Sequence, residues 1–356
     1  MKILFYINAI HHGGAERVMV NLANMFGENR YEVILVTSFY DKEEYLLNSK
    51  VKRLSLEDDN LQQSCIKRNI TRVCRLRKIC KNEHPDILVS FMAEANFRAI
   101  LASLFLGIKT LISIRNDPDK EYPNILYRLM AKFLYPLASG CVFQTEDAKK
   151  WFSTRIQRKS KIILNQVDEK FYKINYDGIR KSIVTVGRLE HQKNHNLLIE
   201  AFAKISNEFP TVNLEIYGDG SLKKILMNLT TSLGIENRVV FMGSSMDINE
   251  KIKDAKLFVL SSDYEGLPNA VMEAMALGLP VISTNCPCGG PTLLINNNVN
   301  GILVDVGNKS ELAEARRRIL SNEDFAKHIS DNARIRALEF QPQKVFEVWE
   351  EYIVTI

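Results

Sequence analysis

A pair of doubly wound α/β domains is the fold the sequence predicts, and three observations carry that expectation. A chain of 356 residues exceeds what one hydrophobic core ordinarily serves and fits two domains of about 150 residues or more. Short β-branched or aliphatic runs alternate with amphipathic helical segments almost from end to end, the pattern of βαβ units and of parallel sheets covered on both faces. The alternation breaks once, at NQVDEKFYKINYDGIRKS beginning at Asn165. Domains are therefore expected over residues 1–165 and 166–340, with 341–356 forming a helix that returns to the first domain.

In the first half the expected strands are KILFYI, EVILVT, DILVSF, TLISI and CVFQT; in the second they are SIVTV, NLEIY, RVVFM, LFVLSS, PVIST and GILV. Helical spacing fills the intervals, as at Ala15 to Phe26, Asn194 to Asn207 and Ser221 to Leu233, and again in the final PQKVFEVWEEYIVTI. A fold of this class gathers its functional loops at the C-terminal edge of each sheet.

The bulk composition, 46% hydrophobic and 25% charged, is that of a globular protein. Its net charge of +5 is unevenly spread: residues 1–170 hold 27 Lys and Arg against 19 Asp and Glu, and the remainder 20 against 23. The basic half points to an acidic partner such as phosphate, an anionic membrane or nucleic acid. Cysteines at 65, 74, 80, 141, 286 and 288 match neither a disulfide framework nor a zinc set, which suggests a reducing cytosol. MKILFYINAI is followed by HHGGAER without a small-residue cleavage site and reads as a first strand, not a signal peptide. The longest apolar run, AILASLFLGI, falls short of the ~20 residues of a membrane span, so no anchor is expected.

Several stretches carry candidate chemistry. In DYEGLPNAVMEAMALGLP, Pro268 suits a first helical position, and the N–H groups near Gly266 and Leu267 would mark a helix N-terminus that favours anions. Glu265 in the turn and Glu273 in the second helical turn could face one crevice; the plainer alternative is a capped surface helix with two solvated acids. In SIVTVGRLEHQKNHNLLIEAF, Gly187 ends a strand, and Arg188 and Lys193 follow as a fork and a point charge able to grip a diphosphate. Charged loops after strands are nonetheless common. In INAIHHGGAERVMVNLA, Gly13 and Gly14 allow close backbone approach at the first βα turn, with Ala15 expected to start the helix. That turn matches neither a dinucleotide fingerprint nor a P-loop, and His11 and His12 read as polar loop residues.

In KRNITRVCRLRKICK, Lys67, Arg68, Arg72, Arg75 and Lys78 share an arc of about 140° at ~100° per residue, opposite Ile66, Ile70, Val73, Leu76 and Cys80. This is either a solvated basic face or a contact for anionic headgroups or a lipid diphosphate, with Arg68, Arg72 and Arg75 as the candidates. Interleaved aromatics are missing, which speaks against single-stranded nucleic acid. ILYRLMAKFLYPLA is the second candidate membrane contact, through Leu126, Phe133 and Tyr135. In CPCGG, Cys286 and Cys288 lack the partners zinc requires, and Gly289 and Gly290 instead bring backbone amides toward the crevice. Asp117 and Asp119 mimic a metal-holding pair but have no third ligand, so neither metal nor cofactor is expected.

Together these residues resemble glycosyltransferase family 4, retaining enzymes of the GT-B fold with two Rossmann-like domains facing a central cleft. The likeness runs through GGAERV, GRLEHQKN, IYGDGSL and EGLPNAVMEAMALGLPVIST, the last holding the E-x7-E signature, and continues in CPCGGPTLLI and NGILV. It implies a first domain for the acceptor and a second for the nucleotide sugar. It further implies that Glu265 contacts donor-sugar hydroxyls, Glu273 the ribose, and Arg188 and Lys193 the diphosphate. The Gly14 turn would close over the phosphates, Gly187, Gly266 and Leu267 would line the donor, and YGDG, with Gly218, would border the base. The departing phosphate oxygen would take the proton from the incoming hydroxyl, leaving the protein mainly to stabilise leaving-group charge.

The sequence departs from the family pattern twice. Arg115 and Asn116 stand where many relatives have a histidine; with Gly13 they are the acceptor-side candidates. Leu293 and Leu294 lie where an acid usually follows the late glycines. A basic helix without an anchor is similar to members that extend polyprenyl-diphosphate-linked glycans at the cytoplasmic face of a bacterial inner membrane. The resemblance implies a nucleotide-sugar donor, expected to be UDP-linked, carrying a hexose or N-acetylhexosamine. Two alternatives stay open: a sugar-nucleotide epimerase of the same architecture, and a membrane-binding module without activity, against which the glutamates with Arg188 and Lys193 argue.

Overall fold

The computed structural model describes residues 1–356 except 12, 42, 58–63, 175, 177 and 179, together with the side chain of residue 65. The chain divides into two compact units, one of Met1–Asn165 with Val345–Ile356 and one of Gln166–Lys344.

The first unit is built on strands β1 (Lys2–Ile7), β2 (Glu32–Thr37), β3 (Val51–Ser55), β4 (Ile87–Phe91), β5 (Lys109–Ser113), β6 (Gly140–Phe143) and β7 (Ser160–Ile162). They pair in parallel in the order β3-β2-β1-β4-β5-β6-β7. Its helices are α1 (Gly14–Glu28), α2 (Cys65–Glu83), α3 (Ala93–Ser103), α4 (Pro118–Glu121), α5 (Ile125–Leu134), α6 (Glu146–Lys150) and α7 (Thr154–Gln157). β1 has no polar face because both faces are covered. Ile3, Phe5 and Ile7 meet α1, while Leu4 and Tyr6 meet Leu76 and Cys80 of α2 and Ala95, Ala99 and Ala102 of α3. The alanines of α3 let that helix lie close to the strands.

The second unit contains β8 (Ile183–Val186), β9 (Leu214–Tyr217), β10 (Val239–Gly243), β11 (Leu257–Leu260), β12 (Val281–Thr284) and β13 (Ile302–Val304). All pairs are again parallel, in the order β10-β9-β8-β11-β12-β13. Its helices are α8 (His195–Ala203), α9 (Lys223–Ser232), α10 (Ile248–Ile252), α11 (Asn269–Ala276), α12 (Gly290–Leu294), α13 (Lys309–Ser321) and α14 (Glu323–Ala337). Leu198, Phe202, Leu226 and Leu312 pack with Leu214, Ile216 and Val259 into the core on one face of this sheet. A last helix, α15 (Pro342–Thr355), follows. Its residues Val345, Phe346, Trp349 and Ile353 sit in the first unit's core, with the Phe346 ring 4.8 Å from Phe26 and the Trp349 ring 5.8 Å from Phe91.

Several local expectations are corrected. Strands β3 and β7 are absent from the sequence reading, because β3 shows one buried residue in five and β7 only half-buried positions; an edge strand lacks the apolar run that marks a central one. Helix α1 begins at Gly14, not Ala15. Pro268 is the N-cap of α11, with an extended ψ of 100°, and Asn269 is the first helical residue. Tyr135 cannot meet a membrane: it is fully buried, and its hydroxyl lies 2.8 Å from that of Tyr122.

Candidate functional site

In each sheet the strand order reverses once, between β1 and β4 and between β8 and β11. Loops leaving the carboxyl ends of strands on either side of such a reversal diverge and leave a hollow. Four of the second unit's candidate residues, Gly187, Arg188, Lys193 and Glu265, lie on the two loops at its reversal.

The loop after β8 holds Gly187, Arg188 and Lys193, and that after β11 holds Glu265. Lys193 and Glu265, 72 positions apart, meet with Nζ 2.5 Å from Oε1. The same carboxylate oxygen accepts from Ser262 Oγ at 2.6 Å. The two loops are tied together along their length. Asp263 N donates to Gln192 O at 2.9 Å, Asn194 Nδ2 to Asp263 Oδ1 at 2.7 Å, Gln192 Nε2 to Tyr264 O at 3.0 Å, and Ser261 Oγ to Lys193 O at 2.8 Å. Thr284, closing β12, donates from Oγ1 to Ser262 O at 2.6 Å. Lys193 and Glu265 keep only 18% and 8% of their side-chain surface, so neither charge is screened as a surface pair would be. Arg188, by contrast, is exposed and makes no ion pair among the described residues.

Glu273 is buried within α11, one turn beyond its start, as the helical spacing requires. His195, the first residue of α8, is also buried; desolvation and then the charge of Lys193 pull its pKa down to about 4, so the imidazole is neutral at physiological pH. Burial pushes the Cys286 thiol up to about 12, and the Glu265 charge adds to the rise. A neutral thiol and a neutral imidazole thus neighbour the ion pair. Neither was singled out as a site residue by the sequence, nor was Ser262, whose only signal is its position three residues before Glu265 in a loop.

Two glycine contacts hold these loops together. A Cβ on Gly218, at φ +133°, would lie 2.0 Å from the Gly187 carbonyl oxygen, and one on Gly290 would lie 1.7 Å from that of Gly266. Any larger residue would force the loops after β8 and β9, or after β11 and β12, apart. Gly266 and Leu267 are buried in this second contact.

In the first unit, Gly13 N-caps α1 in extended conformation and accepts at its carbonyl from Tyr45 Oη at 3.5 Å. His11 Nδ1 lies 3.3 Å from Asp41 Oδ2, and His12 lies outside the described residues. Sequence reasoning missed the hub of this sheet edge, Arg98. Its guanidinium donates to Asn8 Oδ1 at 2.6 Å, Tyr6 Oη at 3.2 Å, Asn69 Oδ1 at 3.0 Å and Glu94 Oε2 at 2.6 Å. Arg115 is turned inward: Nη1 donates to Asn165 Oδ1 at 2.7 Å, and the guanidinium lies 3.7 Å above the Phe91 ring. Desolvation pulls its pKa down to about 9, and Nε and Nη2 find no hydrogen-bond partner among the described residues. Half-buried Asn116 follows it. Asp117 caps α4 by accepting from Asp119 N at 3.1 Å, and Asp119 accepts from Trp151 Nε1 at 3.0 Å.

The basic helix α2 departs from expectation. Arg72 is buried, with Nε 2.5 Å from Glu57 Oε1; Arg68 Nε lies 3.3 Å from the same oxygen, and Arg75 donates to Leu56 O. Burial alone would push the Glu57 carboxyl up, but hydrogen bonding and charge from Arg72, with Arg68 behind it, hold it below its usual range. A buried carboxylate thus turns Arg72 inward, while Arg68 stays exposed. Ile66 and Ile70, expected on the covered face, are 75% and 59% exposed. The outer surface carries them with Lys67, Cys74, Lys78 and Lys81.

The second half of the chain, residues 166–336, matches the family model described as glycosyl transferases group 1, and residues 12–171 match glycosyltransferase family 4. The chain is 32% identical to the lipopolysaccharide core biosynthesis glycosyltransferase LpsE of Rhizobium meliloti, over 90% of this chain and 89% of that protein. It is 29% identical, over 100% and 99%, to the GalNAc-alpha-(1->4)-GalNAc-alpha-(1->3)-diNAcBac-PP-undecaprenol alpha-1,4-N-acetyl-D-galactosaminyltransferase of Campylobacter jejuni. Among solved structures, Anabaena HepE in complex with UDP is similar in fold, with a TM-score of 0.83 at 21% identity over 100% of both chains.

The glycine contact at the site yields a direct test. Gly218→Ala combines an unfavourable φ with a backbone collision and should cost about 2 kcal/mol or more, read as a lower denaturant midpoint. Unchanged stability would show that the two loops do not meet at Gly187.

Proposed function

The chain belongs to glycosyltransferase family 4, and on that premise we propose that it is a retaining transferase that moves a hexose or N-acetylhexosamine from a UDP-sugar to a glycan carried on a polyprenyl diphosphate. The product is a bacterial surface polysaccharide, assembled at the cytoplasmic face of the membrane. The second unit binds the donor and the first the acceptor. Arg188 and Lys193 hold the diphosphate, Glu265 the sugar hydroxyls and Glu273 the ribose, with Gly187, Gly218, Gly266 and Leu267 lining the donor. Gly13, Arg115 and Asn116 belong to the acceptor side.

The observation that carries this reading is the contact of Lys193 with Glu265. A cation 2.5 Å from a carboxylate is the arrangement needed by a ligand that is anionic at one end and polyhydroxylated at the other. Exposed Arg188, on the same loop, supplies a second cation. In the reaction the bond from the anomeric carbon to the β-phosphate oxygen breaks, and a bond to the acceptor oxygen forms on the same face. The acceptor's proton passes to the departing phosphate oxygen. Negative charge grows on that phosphate, where positive groups held in place lower the barrier most. Relatives named for undecaprenol-linked substrates support the acceptor class, and the UDP complex of HepE supports the nucleotide. On α2, Lys67, Arg68 and Lys78 are exposed and offer charge to the lipid diphosphate; Arg72 is committed to Glu57, and Arg75 to the Leu56 carbonyl.

Incubating the protein with a panel of UDP-sugars and a synthetic polyprenyl-diphosphate glycan, in EDTA, should transfer one sugar, release UDP and retain the anomeric configuration by NMR. Rescue only by added manganese or magnesium would overturn the assignment of the diphosphate to Arg188 and Lys193. Conversion of a UDP-sugar without acceptor would mark an epimerase instead.

The glutamates should fail differently. Glu273→Ala should weaken UDP binding by about tenfold or more, the loss of a charged hydrogen bond. Glu265→Ala should bind UDP at least as well as the native protein yet transfer about a hundredfold more slowly. Equal loss of UDP affinity in both would show the two roles to be misassigned.

A further inference from the structure

Helix α5 presents an apolar stripe to solvent. Ile125, Leu126, Leu129 and Phe133 are 71%, 61%, 41% and 66% exposed, and Leu137, just beyond the helix, is 54% exposed. Single exposed apolar side chains are ordinary on any protein; a contiguous cluster is not. At ~100° per residue the four helical members fall within about 100° of arc, and Arg128 and Lys132 border one side of it. Ala131, on the opposite side, is buried, so the orientation of the helix is fixed by packing on its other face.

The charge around the stripe identifies what covers it. The sequence ILYRLMAKFL holds no acid. Helix α3 packs against both α5 and α2, and α2 has no acid before Glu83 while exposing Ile66 and Ile70 among lysines. Arg128 shares its charge with Asp119 at 3.4 Å; Lys132 makes no ion pair among the described residues. A second copy of the chain laid on this face would set cations against cations, whereas an anionic bilayer complements them. No helix among the described residues is long and apolar enough to cross a membrane, so the mode left to such a stripe is to lie in the interface with its apolar side among the acyl chains.

We propose that α5 is the membrane-inserting element of this protein, with Leu126 and Phe133 entering the acyl region of an anionic bilayer and Arg128, Lys132 and the exposed lysines of α2 meeting the headgroups. The inference rests on the reading that the acceptor is lipid-linked, since it supplies the surface on which such an acceptor is met. It places the main membrane contact on the apolar face of α5 and not on α2, where Arg72 and Arg75 are turned toward Glu57 and Leu56.

Flotation of the full chain with phosphatidylcholine vesicles, with and without phosphatidylglycerol, tests it in the absence of any sugar substrate. The native protein should float with the anionic vesicles and only weakly with the neutral ones. The double variant Leu126→Gln, Phe133→Gln should bind anionic vesicles at least about tenfold more weakly. Both side chains are largely exposed, so its thermal midpoint should match the native value. Lys67→Gln with Lys78→Gln should produce a smaller loss that added salt reproduces in the native protein. Failure of the native chain to bind, or undiminished binding by the α5 variant, overturns the proposal. So does light scattering that finds a native dimer which the α5 substitutions split, because the face would then join copies of the chain. Transfer to a soluble, lipid-free acceptor should persist in the α5 variant; if the native protein binds vesicles as described but transfers nothing, the transferase reading fails alone.

Discussion

The contact between Lys193 and Glu265 is the interaction on which the second unit's functional edge depends. Burying a cation and a carboxylate costs several kcal/mol per ion before their attraction repays it, so a buried pair is a poor source of stability. The cost is met locally: Ser262 donates to the same carboxylate oxygen, and Thr284 holds the Ser262 backbone. On the proposed reading, such a pair at the C-terminal edge of a parallel sheet holds a cation ready for a diphosphate. Without the pair, Lys193 would be a long, mobile side chain, and ordering it on binding would consume part of the binding energy.

Sheet topology puts the pair there. Because β8 and β11 are neighbours whose connections wind to opposite sides, their loops leave a hollow that the glycines allow to close tightly. The reversal beside β1 in the first unit makes a second polar edge, organised by Arg98 from Tyr6, Asn8, Asn69 and Glu94. Tyr127 of α5 donates to Glu94 at 3.1 Å. The amphipathic helix is thereby linked to the polar edge of its own unit, a short mechanical connection from the surface of α5 to the loop after β1.

Much of this architecture was legible in the sequence, because parallel strands buried on both faces are continuous apolar runs and helices carry their own period. Edge strands β3 and β7 escaped, since a strand with one neighbour need not be apolar. What spacing could not give was contact at long range. The sequence places Glu265 in a loop and Lys193 in another, but their meeting depends on which strands become neighbours. It also could not reveal that Ser262 holds the carboxylate. The orientation of α2 failed for a physical reason: helical periodicity assigns charges to solvent, whereas the buried Glu57 carboxylate made it favourable to turn Arg72 inward and leave Ile66 and Ile70 outside. On α5 the apolar positions were visible, yet Tyr135 was misjudged because only tertiary packing shows its hydroxyl paired with Tyr122.

The central claim is that Lys193 is held by Glu265 until a diphosphate takes it, and calorimetric titration of UDP across a double-mutant cycle measures this directly. Glu265→Gln alone should tighten UDP binding by about threefold to tenfold, by releasing the lysine. In a Lys193→Met background the same change should do nothing, giving a coupling of about 1 kcal/mol. Effects that simply add, with Glu265→Gln equally silent in both backgrounds, would contradict the account.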